Sequence, residues 1–355
     1  MIYLDYQATT PLAPEAREAM MRWLGGPGAD GFANPHSAHS AGRAAKAAVE
    51  VAREQVATLL PPGGRVVFTG NACEAINLAM RGCGSAGPIA YSAIEHPAVR
   101  DTAISLGNAY ELPVDSDGIT DPGTDLAPGT RLVAVMQVNN EIGTVQPVAE
   151  WARKAREAGA LLLCDAVQAF GKLPVAEADV IAISAHKLYG PKGIGALWVR
   201  NGIDLEPQIT GGLQEGWRSG TLSPALCAGF GAAAKLADEA LDRDAEHLGT
   251  LWKSARTMFS SWELNGSATH RWQGNLNIRR DGLDVARLMS DCRQVMFSAG
   301  SACASGSGKP SHVLKAIGLS DGQSKNSIRL GFGRYTTLQE LGEAAALINA
   351  AAEAQ

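Results

Sequence analysis

An apolar run, Val180-Ile181-Ala182-Ile183, stops at Ser184-Ala185-His186-Lys187 and enters the Gly/Pro turn Leu188-Tyr189-Gly190-Pro191-Lys192-Gly193. A lysine at a strand exit is ordinarily a solvated charge. Held by such a turn in a partly desolvated cleft, its amine can lose a proton and form a Schiff base with an aldehyde. Asp165 lies 22 positions earlier, directly after Leu161-Leu162-Leu163-Cys164. A carboxylate at the end of a buried strand is costly without a cation beside it. A protonated pyridine nitrogen is one such partner; a helix cap and an ordinary ion pair are the competing readings. Gln168, on the same turn, could reach a hydroxyl on that ring.

Three further polar clusters follow apolar runs. Thr69-Gly70-Asn71-Ala72-Cys73-Glu74 links a strand to a helix, with small residues that suit a phosphate at a helix N-terminus. Glu95-His96-Pro97 follows Ile89 to Ile94, and an imidazole there could stack on a ring and move protons. Asn139-Asn140-Glu141-Ile142-Gly143 closes another strand, and its amides would face the same crevice. Each cluster alone has a plain structural explanation: a capped turn, a core histidine, an Asn-rich turn. Converging on the carboxyl edge of one sheet, where open α/β folds bind ligands, they describe pyridoxal phosphate.

The segment from Ser298 to Gly308 is built from Ser, Gly and Ala around Cys303, a composition that holds neither helix nor strand well. A structural cysteine belongs on a packed element, whereas a thiol on a tether can act as a nucleophile at more than one place. The plain alternative is an exposed loop cysteine. Arg329 lies inside the alternating strand around Ser327-Ile328-Arg329-Leu330, where an inward guanidinium needs a partner. A substrate carboxylate would serve, and so would an ion pair.

Short apolar runs alternating with helical patterns are needed to position these residues, which argues for a mainly parallel sheet covered by helices, an α/β fold. The helix from Ala41 to Leu60 has Val49, Ala52, Val56 and Leu59 on one face. Strands are expected at Val66–Phe68, Leu132–Val138, Leu161–Cys164, Val180–Ser184 and Ala196–Val199. Long helices over Pro224–Trp262 lead to a second α+β region with strands at Asn275–Ile278 and Ile328–Phe332 and helices at Val285–Cys292 and Leu338–Ala354. The expected division is a large domain over 14–245 and a smaller one made of 1–13 and 246–355.

Composition bounds the rest. A net charge of −5, with no cluster of Lys and Arg, offers no field for nucleic acid. No apolar run is long enough to span a membrane and no signal segment opens the chain, so the expected setting is cytoplasmic. The cysteines other than Cys303 (Cys73, Cys83, Cys164, Cys227 and Cys292) form no CxxC pair and no zinc spacing, and are expected as free, mostly buried thiols.

These motifs resemble the cysteine desulfurases of the NifS/IscS type, within the class V aminotransferase group. The likeness runs through Tyr3-Leu4-Asp5-Tyr6-Gln7-Ala8-Thr9-Thr10-Pro11, Asn34-Pro35-His36-Ser37, Glu95-His96 and Asn139-Asn140-Glu141-Ile142-Gly143. It continues through Asp165-Ala166-Val167-Gln168, Ser184-Ala185-His186-Lys187, Arg218-Ser219-Gly220-Thr221 and Gly300-Ser301-Ala302-Cys303. The last motif resembles the first desulfurase group, whose cysteine rides on a long loop. The resemblance implies the fold-type-I transferase architecture and pyridoxal 5'-phosphate. It implies Lys187 as the Schiff-base lysine, Asp165 as pyridinium partner, Gln168 at the ring hydroxyl, and His96 stacked on the ring and shuttling protons. Ala72, Cys73, Ser184 and His186 would hold the phosphate. Thr221 would reach the phosphate of the other subunit in a homodimer, and Asn34, Asn140 and Arg329 would bind the substrate carboxylate. L-cysteine would be converted to L-alanine, its sulfur passing to Cys303 as a persulfide and on to an acceptor protein, such as an iron–sulfur scaffold. No resident metal is implied, although Cys303 could transiently ligate an acceptor-bound cluster. A selenocysteine or cysteine-sulfinate lyase, a class V transaminase and a non-catalytic relative are the alternatives. Two positions depart from the group's pattern: Cys73 stands where Thr is usual and Asn71 where Gly is. A thiol donates weakly, so phosphate binding would lean on the backbone, Ser184 and His186.

Overall fold

A computed structural model describes residues 1–355 except 27, 28, 30, 85, 86, 213 and 301–309, so Cys303 lies outside the described residues. In chain order the first part contains β1 (Ile2–Tyr3), α1 (Pro14–Met21), α2 (Ser40–Ala57), β2 (Gly64–Thr69), α3 (Ala72–Gly82), β3 (Ile89–Ser92), α4 (Pro97–Leu106), β4 (Ala109–Leu112) and β5 (Leu132–Ala134). It continues with α5 (Val148–Glu157), β6 (Leu161–Asp165), β7 (Val180–Ser184), β8 (Gly195–Arg200) and α6 (Pro224–Met258). The remainder holds β9 (Glu263–Leu264), β10 (Asn275–Arg279), α7 (Val285–Asp291), β11 (Val295–Met296), β12 (Ser298–Ala299), α8 (His312–Ala316), α9 (Asp321–Lys325), β13 (Ser327–Gly331) and α10 (Leu338–Glu353).

Seven strands form the large sheet in the order β2-β8-β7-β6-β5-β3-β4. Six run parallel; β8 is antiparallel to both neighbours. The sheet is mainly parallel, as the apolar runs lead one to expect, and β8 is the exception among the described residues. Only residues 185–194 join β7 to β8, too few for a crossover helix, so the chain must double back.

The strands are apolar on both sides because both faces are covered. Phe68, Leu162, Ile181 and Ile183 face a layer that includes Val49, Ala52 and Val56 of α2 and Phe230 of α6. Val67, Leu163, Val180 and Ala182 face Ile76, Ala79 and Met80 of α3. The register of alternation therefore decides which residues each layer receives.

Three expectations change in detail. The strand from Leu132 stops pairing with β3 at Ala134 because Glu95 Oε1 accepts the Met136 N–H at 2.6 Å. One 35-residue helix, α6, replaces the several helices expected over Pro224–Trp262; the expected division at 245 falls inside it. Within the Ser/Gly segment, Ser298 and Ala299 do form a strand, pairing with Arg329 and Ile328; neighbouring β13 supplies the ladder that composition disfavours.

β12, β13, β10 and β9 make a second, antiparallel sheet. The N-terminal residues join this region: β1 pairs with β11, and Asp5 bridges to Gly331.

Candidate active site

The carboxyl ends of β2, β6 and β7 open on one cleft of about 330 Å³, a size that holds a small cofactor. Ala72, Cys73, His96, Asn140, Asp165, Gln168, Ser184, His186, Lys187 and Arg329 all line it. Asn34 and Thr221 are exposed and lie outside this lining. The expectation of mostly buried thiols fails at Cys73, which is exposed at the cleft because it begins a helix at a strand end; Cys164, Cys227 and Cys292 are buried.

Lys187 ends a single 3-10 turn, Ala185–Lys187, which Leu188 N closes by donating to Ala185 O at 2.9 Å, and Gly190 N donates to the same oxygen at 3.0 Å. Just beyond it Tyr189 takes a left-handed φ of 61°, a conformation that costs a side-chain-bearing residue on the order of 1 kcal/mol. The N-terminal segment holds it there: Tyr189 N donates to Thr10 Oγ1 at 2.6 Å, and Ala13 N to Tyr189 O at 2.8 Å. The same segment holds the lysine. Lys187 Nζ donates to Gln7 O at 2.5 Å and Ala8 O at 2.7 Å.

Asp165 is buried at the end of β6, and its Oδ1 accepts Val167 N–H at 2.9 Å. Burial pushes its proton affinity up, opposed by His96, the Val167 N–H and Lys187. A cation resident against this carboxylate would favour its charged form. Glu95, also buried, is pushed well up by burial and then by Asp165, with the Met136 N–H opposing. His96 Nδ1 accepts Ala98 N–H at 3.1 Å, which puts the proton of the neutral ring on Nε2. Burial lowers its proton affinity, with Asp165 opposing.

At the opposite wall Asn71 caps α3, its Oδ1 accepting Glu74 N–H at 3.0 Å. Gly195 passes directly behind this turn, where a Cβ would stand 2.7 Å from Asn71 C and 2.9 Å from Ala72 N. Ser184 Oγ is buried with no hydrogen-bond partner among the described residues, an unusual state for a hydroxyl and one that a ligand oxygen would relieve. His186 Nδ1 lies 3.3 Å from Thr9 Oγ1. Burial, then Lys187, Lys192 and Lys172, push its pKa down to about 4, so it stays a neutral donor or acceptor at ordinary pH.

Arg329 is fully buried, and the ion pair it makes is an internal one with Asp5. Its Nη2 donates to Asp5 Oδ1 at 2.7 Å and its Nη1 to Asn140 O at 2.9 Å, while Nε has no partner among the described residues. The two asparagines divide the work. Asn139 builds the turn, its Oδ1 accepting the N–H groups of Glu141 (2.8 Å) and Ile142 (2.9 Å), whereas Asn140 lines the cleft. On the far side of the 301–309 segment, Ser311 Oγ donates to buried Glu141 Oε2 at 2.5 Å.

The class-V aminotransferase family matches residues 2–343. The chain belongs to this family. The IscS cysteine desulfurases of Rickettsia felis and Rickettsia bellii are each 39% identical to it over 372 residues, covering 98% of this chain and 90% of theirs. A NifS-like protein from Rickettsia africae superimposes with a TM-score of 0.90 at 27% identity, covering 99% of both chains. The structure of SspA in complex with cysteine has a TM-score of 0.82 at 33% identity, over 95% of this chain and 100% of that one.

This class-V aminotransferase fold depends on pyridoxal phosphate, and the cleft fits that group. An amine, a buried carboxylate and, beside a helix N-terminus, a buried hydroxyl with no partner among the described residues line one cavity. Three residues that the sequence reading gave no role belong to the same site: Asp5, Gln7 and Ala8. Gln7 and Ala8 act through backbone carbonyls, which leave no trace in residue type. Asp5 follows the apolar stretch Ile2-Tyr3-Leu4, the same strand-end signal that marked Asp165.

Proposed function

We propose that this chain is a pyridoxal-phosphate-dependent cysteine desulfurase. The thiol of L-cysteine passes to Cys303, the Cβ–S bond breaking as an S–S bond forms, so that L-cysteine and Cys303–SH give L-alanine and Cys303–S–SH. The observation that carries this reading is the juxtaposition of Lys187, Asp165 and the unpartnered Ser184 Oγ around one cleft whose other end holds buried Arg329.

When bound, the cofactor supplies an electron sink for the pair left at Cα after proton removal. The chain's residues supply the rest. Lys187 Nζ anchors the cofactor and takes the Cα proton, drawn from its present position against Gln7 O and Ala8 O. Asp165 keeps a proton on the ring nitrogen, Gln168 donates to the ring hydroxyl, and His96 packs on the ring and moves protons. Ser184, His186, Ala72 and Cys73 hold the phosphate, with Thr221 of one subunit reaching the phosphate of the other in a homodimer. Asn34, Asn140 and Arg329 take the carboxylate of L-cysteine. Lacking a carboxylate at Arg329 Nε, a substrate would lose the contact that orients its thiol. A sulfur-acceptor protein, serving iron–sulfur assembly or thiolation in the cytoplasm, then relieves Cys303. None of the described helices is long and apolar enough to cross a membrane.

Cys303→Ala tests the reading. With a thiol reductant present, alanine release from L-cysteine should be lost while the visible absorption of the loaded cofactor is retained. Undiminished turnover would rule out transfer to Cys303.

A further inference from the structure

Behind the cleft lies a smaller cavity of about 140 Å³, lined among others by Lys172, Asp244, Arg271 and Trp272. Lys172 connects this cavity to the active site. Its Nζ donates to Gln168 Oε1 at 3.2 Å and sits 4.6 Å from the centre of the Trp272 ring, a favourable place for a cation. The Gln168 amide is fixed from both ends, because Nε2 donates to Gln7 O at 3.0 Å. Turning the amide over would set an NH₂ against an ammonium and an oxygen against a carbonyl. Gln7 O also accepts from Lys187 Nζ. One chain of hydrogen bonds therefore runs Lys172, Gln168, Gln7, Lys187, with both amines giving and neither receiving.

Among the described residues no carboxylate bonds to this chain from the cavity side: Asp244 pairs with Arg334 at 2.7 Å, and Arg271 donates to backbone carbonyls of Ser267, Asn265 and Asn275. On the cleft side the titratable groups that act on or are acted on by Lys187 among the described residues include Asp165, His96 and His186. We propose that Lys172 is a positioning residue for Lys187: it locks the Gln168 amide in the cleft and sets a second amine at the far end of the same hydrogen-bond chain, where its charge opposes protonation at Lys187. Burial, then the Lys187 ammonium, draw Lys172 itself down to about 7, as two amines competing for one proton should behave.

The inference rests on Lys187 carrying the cofactor, and the test separates the two. The holoenzyme without substrate is titrated with pH and the midpoint of its visible absorption change is recorded for the parent, Lys172→Met, Lys172→Gln and Lys172→Arg. Removing the charge should raise the midpoint in the Met and Gln variants by about one pH unit, a tenfold gain in proton affinity. Lys172→Arg, whose charge never leaves, should lie at or below the parent. Gln keeps a donor toward Gln168 and so decides the matter if the Met variant does not fold. A change in packing alone would not order the midpoints by charge. Midpoints that agree within 0.2 units, or that do not follow charge, would overturn the role of Lys172 while the Lys187 reading stands. A parent whose visible band survives Lys187→Ala would overturn both.

Discussion

Substituting Arg329 by lysine keeps the charge and removes the fork. The guanidinium already gives Nη2 to Asp5 and Nη1 to Asn140 O, and holds Nε unpartnered in a fully buried position. A lysine ammonium presents its donors from one point and cannot serve Asp5, the Asn140 carbonyl and an incoming carboxylate in the same plane. The variant should therefore lose one charge-assisted hydrogen bond to substrate, worth about 1.5–3 kcal/mol. At about 1.4 kcal/mol per decade, kcat/KM for L-cysteine falls roughly 10- to 150-fold. Most of that loss should appear in KM, because the carboxylate is held equally before and during reaction. Initial rates of alanine release across L-cysteine concentrations measure it, with a melting curve run alongside to show that the Asp5 contact survives. Cysteamine, which has no carboxylate, provides the control: parent and variant should process it equally poorly. A folded, cofactor-loaded variant with a KM for L-cysteine within twofold of the parent would refute the assignment of Arg329.

Ser184→Ala should raise the cofactor dissociation constant about tenfold or more, the loss of one hydrogen bond to a charged group. The unfolding free energy of the cofactor-free protein in urea should hold or rise slightly, since a buried hydroxyl with no partner among the described residues is removed; a fall of more than about 1 kcal/mol would mean that Ser184 is structural. His186 titrates near 4 in the folded chain and near 6.5 when unfolded. Between those values the unfolded state binds the extra proton, so stability rises with pH through this window and is lost as pH falls through it. His186→Asn in the cofactor-free protein should flatten that slope by up to one proton in urea titrations from pH 4.5 to 6.5. An unchanged slope would place His186 in contact with solvent.

Much of the site could be read from the chain because apolar runs ending in polar residues mark strand exits in an α/β sheet, and the exits of one sheet share an edge. Lys187, Asp165 and His96 were legible on that ground. The direction of β8 was not, since a strand buried on both faces shows no alternation; the brevity of the link from Ser184 to Gly195 carried the information instead. Asn139 and Asn140 are identical in type, and only the turn geometry distinguishes the builder of the loop from the residue that faces the cleft. Asp5 and Arg329 stand 324 positions apart, beyond any local pattern. Lys172 looks like a solvated lysine in a turn, and its burial depends on Trp272 and Gln168 arriving from elsewhere.

The opening stretch of the polypeptide has a consequence for how the molecule is made. Ile2 and Tyr3 pair with Val295 and Met296, and Asp5 with Gly331 and Arg329. During synthesis these residues emerge some three hundred positions before their neighbours are translated. The sheet around Asp165 and Ser184 has all its strands long before then. The strap that grips the reactive amine can be fastened only after residue 331 exists, so a nascent chain does not display a finished catalytic centre before that residue has been made.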